Sequence, residues 1–267
     1  MATWVRVRVS FRRHEFDYTK FGIPYRIATG APWRSKQFCV SVGMTCRTGN
    51  HKDDAPADLC LVTTYFNPAG YTKKRKRYLD FAARCEVSNL TLFTIECAFG
   101  NRAFEIPEAE TVLHVRARDA MWQKERLLNL ATAHIPAKFT KLVSIDFDVI
   151  FENPQWAILT SQQLDVVPLV QPFETVVWLP RDAVSDDGSG RVLPGFAERH
   201  ATDPSLLLAG DFVRHGVPGF ARAARRELLE AHGLYDACVV GGGAVSYTHL
   251  TCNSFPGTNP MRPRTSR

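Results

Sequence analysis

Four short apolar runs, the first and last of the gaps between them helical in length and pattern, constrain this chain more than any other feature. They are Leu59-Cys-Leu-Val-Thr-Thr-Tyr65, Leu90-Thr-Leu-Phe-Thr-Ile-Glu96, Thr111-Val-Leu-His-Val115 and Lys141-Leu-Val-Ser-Ile-Asp-Phe-Asp148. Strands that read as continuous apolar runs are covered on both faces, as in parallel sheets. Between them Tyr78, Phe81, Ala82 and Cys85 recur at helical spacing, and Ala120 to His134 carries a stripe of Trp122, Leu127, Leu130 and Ala131. Strand alternating with helix predicts an α/β class, with a doubly wound, mostly parallel sheet. Farther on, the pattern predicts a helix after Asn153-Pro-Gln-Trp156 and a strand over Asp165–Val170. A polar loop, Val184–Gly190, follows, and then a helix from about Phe220 to Glu230, stopped by Gly233.

This pattern divides the chain into three. Residues 58–243 form the α/β domain. Residues 1–57 read as an irregular, basic N-terminal extension, in which only Val5, Val7 and Val9 alternate like a strand. Ala244–Arg267 holds no acidic residue and no apolar period. Its run Val245-Ser-Tyr-Thr-His-Leu-Thr251 resembles translated read-through, so the tail is expected to be unstructured and artefactual, and the domain truncated after Gly243.

Charge narrows the partners. The formal net charge is +6 at pH 7, and residues 1–57, with ten Lys/Arg against four Asp/Glu, hold all of the excess. A balanced body argues against a nucleic-acid partner. The run Lys73-Lys74-Arg75-Lys76-Arg77 reads as a solvated helix face or, failing that, as a contact for an anionic surface. No apolar run approaches the roughly 20 residues of a membrane span, and the N-terminus lacks the layout of a signal peptide. The seven cysteines are scattered without a C-x-x-C pair, and Cys60 and Cys97 fall inside apolar runs, where a reduced thiol behaves as a small hydrophobe. Together these features lead us to expect a cytoplasmic protein without a transmembrane segment.

Chemistry concentrates at Asp146-Phe-Asp148. In a strand, alternate side chains share a face, so both carboxylates are expected to point one way and Phe147 the other. At the carboxyl end of a parallel strand they occupy the position where open α/β sheets hold ligands. Two carboxylate oxygens suit a hard cation such as Mg²⁺ or Mn²⁺. By itself D-x-D is weak, since a chain of this length supplies about one copy by chance.

The surrounding motifs make it specific. Met121-Trp-Gln-Lys-Glu-Arg-Leu-Leu-Asn129 followed by Lys141–Phe151 resembles GT-A-fold glycosyltransferases, in which a lysine-bearing helix precedes the D-x-D strand. Asn67-Pro-Ala-Gly-Tyr71, Glu96 with Ala98-Phe-Gly100, Val170-Gln-Pro-Phe173, Gly219–Arg226 and Gly233–Gly243 extend the resemblance over residues 58–243. It is closest to bacterial glycosyltransferase-like proteins. The resemblance implies a nucleotide-sugar donor, a glycan or other hydroxyl acceptor, and Mn²⁺ or Mg²⁺ held by Asp146 and Asp148. Asp146 and Lys124 would also meet the donor's phosphates, while Thr63, Thr64 and Asn67 would line the nucleotide. Asp236, near Gly241–Gly243, would be the catalytic base, with Asp211 as a second candidate, and Trp178 is either a sugar-stacking side chain or a strand-edge tryptophan. Relatives commonly carry an acidic residue after the glycines, where this sequence has Ala244.

Three other readings compete. One is a catalytically incomplete fragment that binds nucleotide sugar or metal without turnover. Another is a haloacid-dehalogenase-type phosphatase, whose nucleophile strand also carries D-x-D but opens its domain and needs a later acidic pair. The third, a nucleotidyltransferase, lacks its glycine-rich phosphate loop here, since Asn67-Pro-Ala-Gly70 is too short.

Overall fold

The computed structural model describes residues 5–8, 13–16, 38–41, 55–121, 123–179, 188–203, 205 and 214–236. Trp122, Asp211, Gly241–Gly243, the tail 244–267 and most of the loop 184–190 lie outside these residues. Before the first apolar run come β1 (Val5–Arg8), β2 (Arg13–Phe16) and β3 (Phe38–Ser41), the last two pairing with each other.

The apolar runs form a mostly parallel sheet, as expected. β4 (Leu59–Tyr65) leads through α1 (Thr72–Val87) to β5 (Thr91–Phe99) and then β6 (Val112–Ala117), each parallel to the one before. After α2 (Lys124–His134) the chain returns to the other side of β4 as β7 (Lys141–Ile145), also parallel. Next come β8 (Val149–Phe151), α3 (Trp156–Val166), β9 (Leu169–Val170), β10 (Thr175–Trp178), β11 (Arg191–Pro194) and α4 (Phe196–Thr202). β12 (Ala221–Arg225) and α5 (Arg226–His232) complete the described chain. The main sheet has the order β6-β5-β4-β7-β12-β9, in which β12 runs antiparallel to both its neighbours. A second sheet has the order β11-β10-β1-β8, so β1 lies between β10 and β8.

Residue alternation along β4 sorts the core into two layers. Leu59 and Leu61 pack with Phe81 and Cys85 of α1 and with Trp156 and Leu164 of α3. Cys60 and Val62 face the other way, onto Leu127, Leu128 and Ala131 of α2. Cys60 and Cys97 are buried as expected, and burial pushes the Cys60 thiol up to about 12, which leaves it inert. Among the described residues no helix is long and apolar enough to cross a membrane.

Three expectations are corrected here. The strand expected over Asp165–Val170 is only β9, because Asp165 and Val166 continue α3. The fourth apolar run leaves the sheet at Ile145, and Asp146-Phe147-Asp148 forms a turn, with the Val149 N–H donating to the Asp146 carbonyl at 3.3 Å. The helix expected from Phe220 begins only at Arg226. Ala221-Arg-Ala-Ala-Arg225 has helical propensity, yet it pairs as a strand with Ile145 to Lys141. Small side chains let it fit between two packed layers: Ala221, Ala223 and Ala224 are buried, and tertiary context overrides a weak local preference.

The junction between β12 and α5 clamps both layers. Arg225 donates through Nε to the Leu164 carbonyl at 2.6 Å and through Nη2 to that of Asp165 at 2.8 Å, closing the end of α3. Arg226 donates to the carbonyls of Thr132, Ile135 and Pro136 at the end of α2. Orphan helix carbonyls and a helix dipole both favour a cation there. Arg226→Ala is therefore expected to lower stability by about 2–3 kcal/mol in urea unfolding. A loss below about 0.5 kcal/mol would mean that water replaces the guanidinium without penalty.

Candidate functional site

The strand order fixes where a ligand can sit. From β4 the chain moves outward to β5 and β6, then returns to place β7 on the opposite side of β4. The crevice at the carboxyl ends of β4 and β7 is therefore the point where the winding reverses, the usual ligand position of open α/β sheets. The end of β7 is also where the chain passes from the main sheet to the second one, and the Asp146–Asp148 turn makes that passage.

In a turn, strand alternation no longer explains why the two carboxylates meet. The fold instead anchors the turn at its first residue and at its centre. The Asp146 N–H donates to the Phe220 carbonyl at 2.7 Å, and Phe147 packs against both Tyr65 and Tyr78. Phe220 is held at φ +68°, a left-handed conformation that is a genuine outlier for so bulky a residue.

Cations converge on this turn from both layers. Lys124, the first residue of α2, forms an ion pair with Asp146 Oδ1. From the other layer, α1 contributes Lys74, whose ammonium lies 4.5 Å over the Phe66 ring, and the buried Arg77. Burial, reinforced by the adjacent Asp146 charge, raises the Asp148 carboxyl to about 6, with Lys124 and Arg77 acting in the opposite sense. Burial lowers the ammonium of Lys74, against the pull of Asp148, Asp146 and Glu105. The result is a pair of crowded carboxylates whose mutual repulsion is only partly relieved by the protein.

The basic run Lys73–Arg77 is thus not one solvated face. Lys73, Arg75 and Lys76 are exposed, with Lys76 paired to Asp80 at 2.8 Å, but Lys74 and Arg77 turn inward. Their spacing of three places them on the buried face of α1, beside Tyr78 and Phe81. Extending the apolar stripe backward by one turn would have found them.

The residues expected to line the nucleotide divide. Thr63 is fully buried and its hydroxyl donates to the Ile145 carbonyl at 2.8 Å, tying β4 to β7. Thr64 is buried on the α2 face. The Asn67 amide nitrogen donates to Glu105 at 3.0 Å and to the Tyr71 carbonyl at 3.2 Å, and its oxygen accepts the Tyr71 N–H at 3.0 Å. Its polar atoms are therefore committed to the loop. Tyr65 donates to the same Glu105 carboxylate at 2.5 Å, and Glu96 accepts the N–H groups of Glu105 and Ile106. Glu105, absent from the sequence-based expectations, is the brace of this wall.

Asp236 lies elsewhere. Its carboxylate accepts from Arg126 and Asn129, each at 3.4 Å. At about 100° per residue these positions lie roughly 140–200° round α2 from Lys124. The helix that carries Lys124 to the turn therefore holds Asp236 on another face. Trp178, the last residue of β10, is 41% exposed and forms a T-shaped pair with Phe220, with ring centroids 5.4 Å apart.

No protein-family model matches the sequence, and no curated protein matches it.

Proposed function

We propose that the domain is a GT-A-like glycosyltransferase that moves a sugar from a nucleotide-sugar donor to an acceptor hydroxyl. One observation carries this reading: two crowded carboxylates at the carboxyl end of β7, at the reversal point of the sheet, faced by Lys124 from one layer and by Lys74 and Arg77 from the other.

That charge set matches a diphosphate bound with a divalent cation. The hard oxygen donors of Asp146 and Asp148 fit Mg²⁺ or Mn²⁺, whose charge would oppose the burial and the Asp146 charge that raise the Asp148 carboxyl. Among the described residues no group of three or more His, Cys, Asp or Glu could hold a metal. Two protein carboxylates, with phosphate oxygens and water filling the remaining positions, suit Mg²⁺ in particular, which retains water and binds through substrate phosphates. When bound, the cation supplies neutralisation of the charge that develops on the departing nucleotide. Lys124 and Lys74 bind phosphate as compact charges, and Arg77 holds the field positive from beneath. Thr63 ties β4 to β7 and the Asn67–Glu105 brace fixes the neighbouring loop, rather than touching the nucleotide.

The position of Asp236 favours a second reading, a domain that binds the donor without turning it over. Held by Arg126 and Asn129, it does not join the Asp146–Asp148 turn as a base.

Binding is the direct test. Mn²⁺ together with a nucleoside diphosphate is expected to raise the melting temperature by several degrees, about the stabilisation of a ligand present at 100 times its Kd. The Asp146→Asn/Asp148→Asn double variant is expected to lose that shift, and an equal shift in both proteins would defeat the proposal. Hydrolysis of nucleotide sugars by the same preparations separates the enzyme from the binding domain.

A further inference from the structure

We infer that Trp178 is the stacking face of a sugar subsite adjoining the Asp146–Asp148 turn, and that its ligand is a pyranose ring. The inference rests on the glycosyl-transfer reading and extends it by naming the group that would recognise the sugar.

Position is the first argument. In the β7–β12 register Ala221 lies opposite Ile145, so the next pair outward is Phe220 and Asp146, joined by the Asp146 N–H and the Phe220 carbonyl. Trp178 leans its ring on Phe220 at an interplanar angle of 74°. Only one side chain therefore separates the indole from the backbone of the proposed phosphate site.

Exposure is the second. β10 is not an edge strand, since it pairs with β1 on one side and β11 on the other. Its inner residues Val176 and Val177 are almost completely buried, yet Trp178 at the strand end keeps 41% of its surface open. A large aromatic held against Phe220 in a T-shaped pair, with 41% of its surface open, is suited to the C–H groups of a sugar ring, just as aromatic side chains serve where one surface must be apolar and its surroundings wet. Arg191, directly across on β11 and exposed, shares that face and offers donors to sugar hydroxyls.

Strain is the third. Holding Phe220 at φ +68° strains the backbone, and glycine would avoid the strain. A bulky ring at this position both supports the indole and presents its carbonyl to Asp146. The outlier, the exposed tryptophan and the carboxylate turn thus form one connected feature.

The pyranose can come from the donor or from the acceptor, and the experiment separates the two. Wild type, Trp178→Ala and Trp178→Phe are titrated with Mn²⁺ and a nucleoside diphosphate, then with the matching nucleotide sugar. Methyl glycosides of glucose, galactose and mannose are measured separately by saturation-transfer NMR. Trp178→Ala is expected to bind the nucleoside diphosphate like wild type but a sugar-bearing probe roughly tenfold more weakly, with Trp178→Phe within about threefold of wild type. Loss on the nucleotide sugar assigns the ring to the donor, and loss on the glycosides alone assigns it to the acceptor. Unchanged binding of every sugar-bearing probe by Trp178→Ala overturns the subsite. If the nucleoside diphosphate binds none of the proteins, the glycosyl-transfer reading fails and the glycosides decide the subsite. A signal lost in Trp178→Ala then upholds it, whereas a signal unchanged, or absent from wild type, overturns it.

Discussion

Asp148→Asn is expected to stabilise the cation-free protein by about 3 kcal/mol near pH 8, and by about half that near pH 5. Burial first, and then the Asp146 charge, raise this carboxyl from 3.8 to about 6. The folded state therefore holds the proton more tightly than the unfolded chain, and ionisation works against folding. The penalty is absent below the unfolded value of 3.8, grows through the window up to about 6, and is complete above it. An asparagine cannot ionise, so it removes the penalty where the penalty is largest. Urea unfolding in the presence of a chelator reads the difference directly. A gain that is the same at both pH values would place its origin outside this ionisation. The same variant is expected to lose Mn²⁺-dependent nucleotide binding, so stability and function move in opposite directions at one residue. In the wild-type protein Mn²⁺ affinity is expected to fall as pH drops through about 6, because the cation competes with the Asp148 proton.

Lys124→Ala is expected to change the affinities for cation and for diphosphate in opposite directions. Lys124 is ion-paired with Asp146, so its ammonium occupies part of the field that a divalent cation would enter. Its removal should tighten Mn²⁺ alone by roughly tenfold and weaken the nucleoside diphosphate in saturating Mn²⁺ by a similar factor. Lys74→Ala should show the same pattern more weakly, because Lys74 faces both carboxylates from above the Phe66 ring without the direct ion pair. Calorimetric titration gives both constants from one preparation. If Lys124→Ala weakens both ligands, the lysine serves the fold of the turn rather than the phosphate.

Much of the architecture was legible because apolar runs carry it. The four parallel strands and their two covering layers follow from Leu59–Tyr65 and its counterparts, whose continuous hydrophobicity admits few other arrangements. The carboxylate pair and Lys124 were legible too, and the structure brings Lys124 to Asp146. What was hidden depends on partners distant in sequence. Ala221–Arg225 has no strand character of its own, and only the open side of β7 makes it one. Thr63 and Asn67 offer groups that suit a nucleotide, but Ile145 and Glu105 claim them first. In the basic run, reading five adjacent charges as one block concealed the helical period that turns Lys74 and Arg77 inward.

The late position of β12 has a consequence for how the chain becomes a protein. During synthesis the parallel strands and both helical layers emerge first, leaving β7 with a bare hydrogen-bonding edge until residues 221–225 arrive. An unprotected edge beside fresh apolar surface invites pairing with another chain. The same five residues supply the carbonyl partner of Asp146, through Phe220 just before them, and the arginine clamps at their end. The carboxylate turn therefore acquires its final shape in the same step that seals the sheet. A nascent chain should gain nucleotide affinity and resistance to proteolysis together, and late, rather than layer by layer.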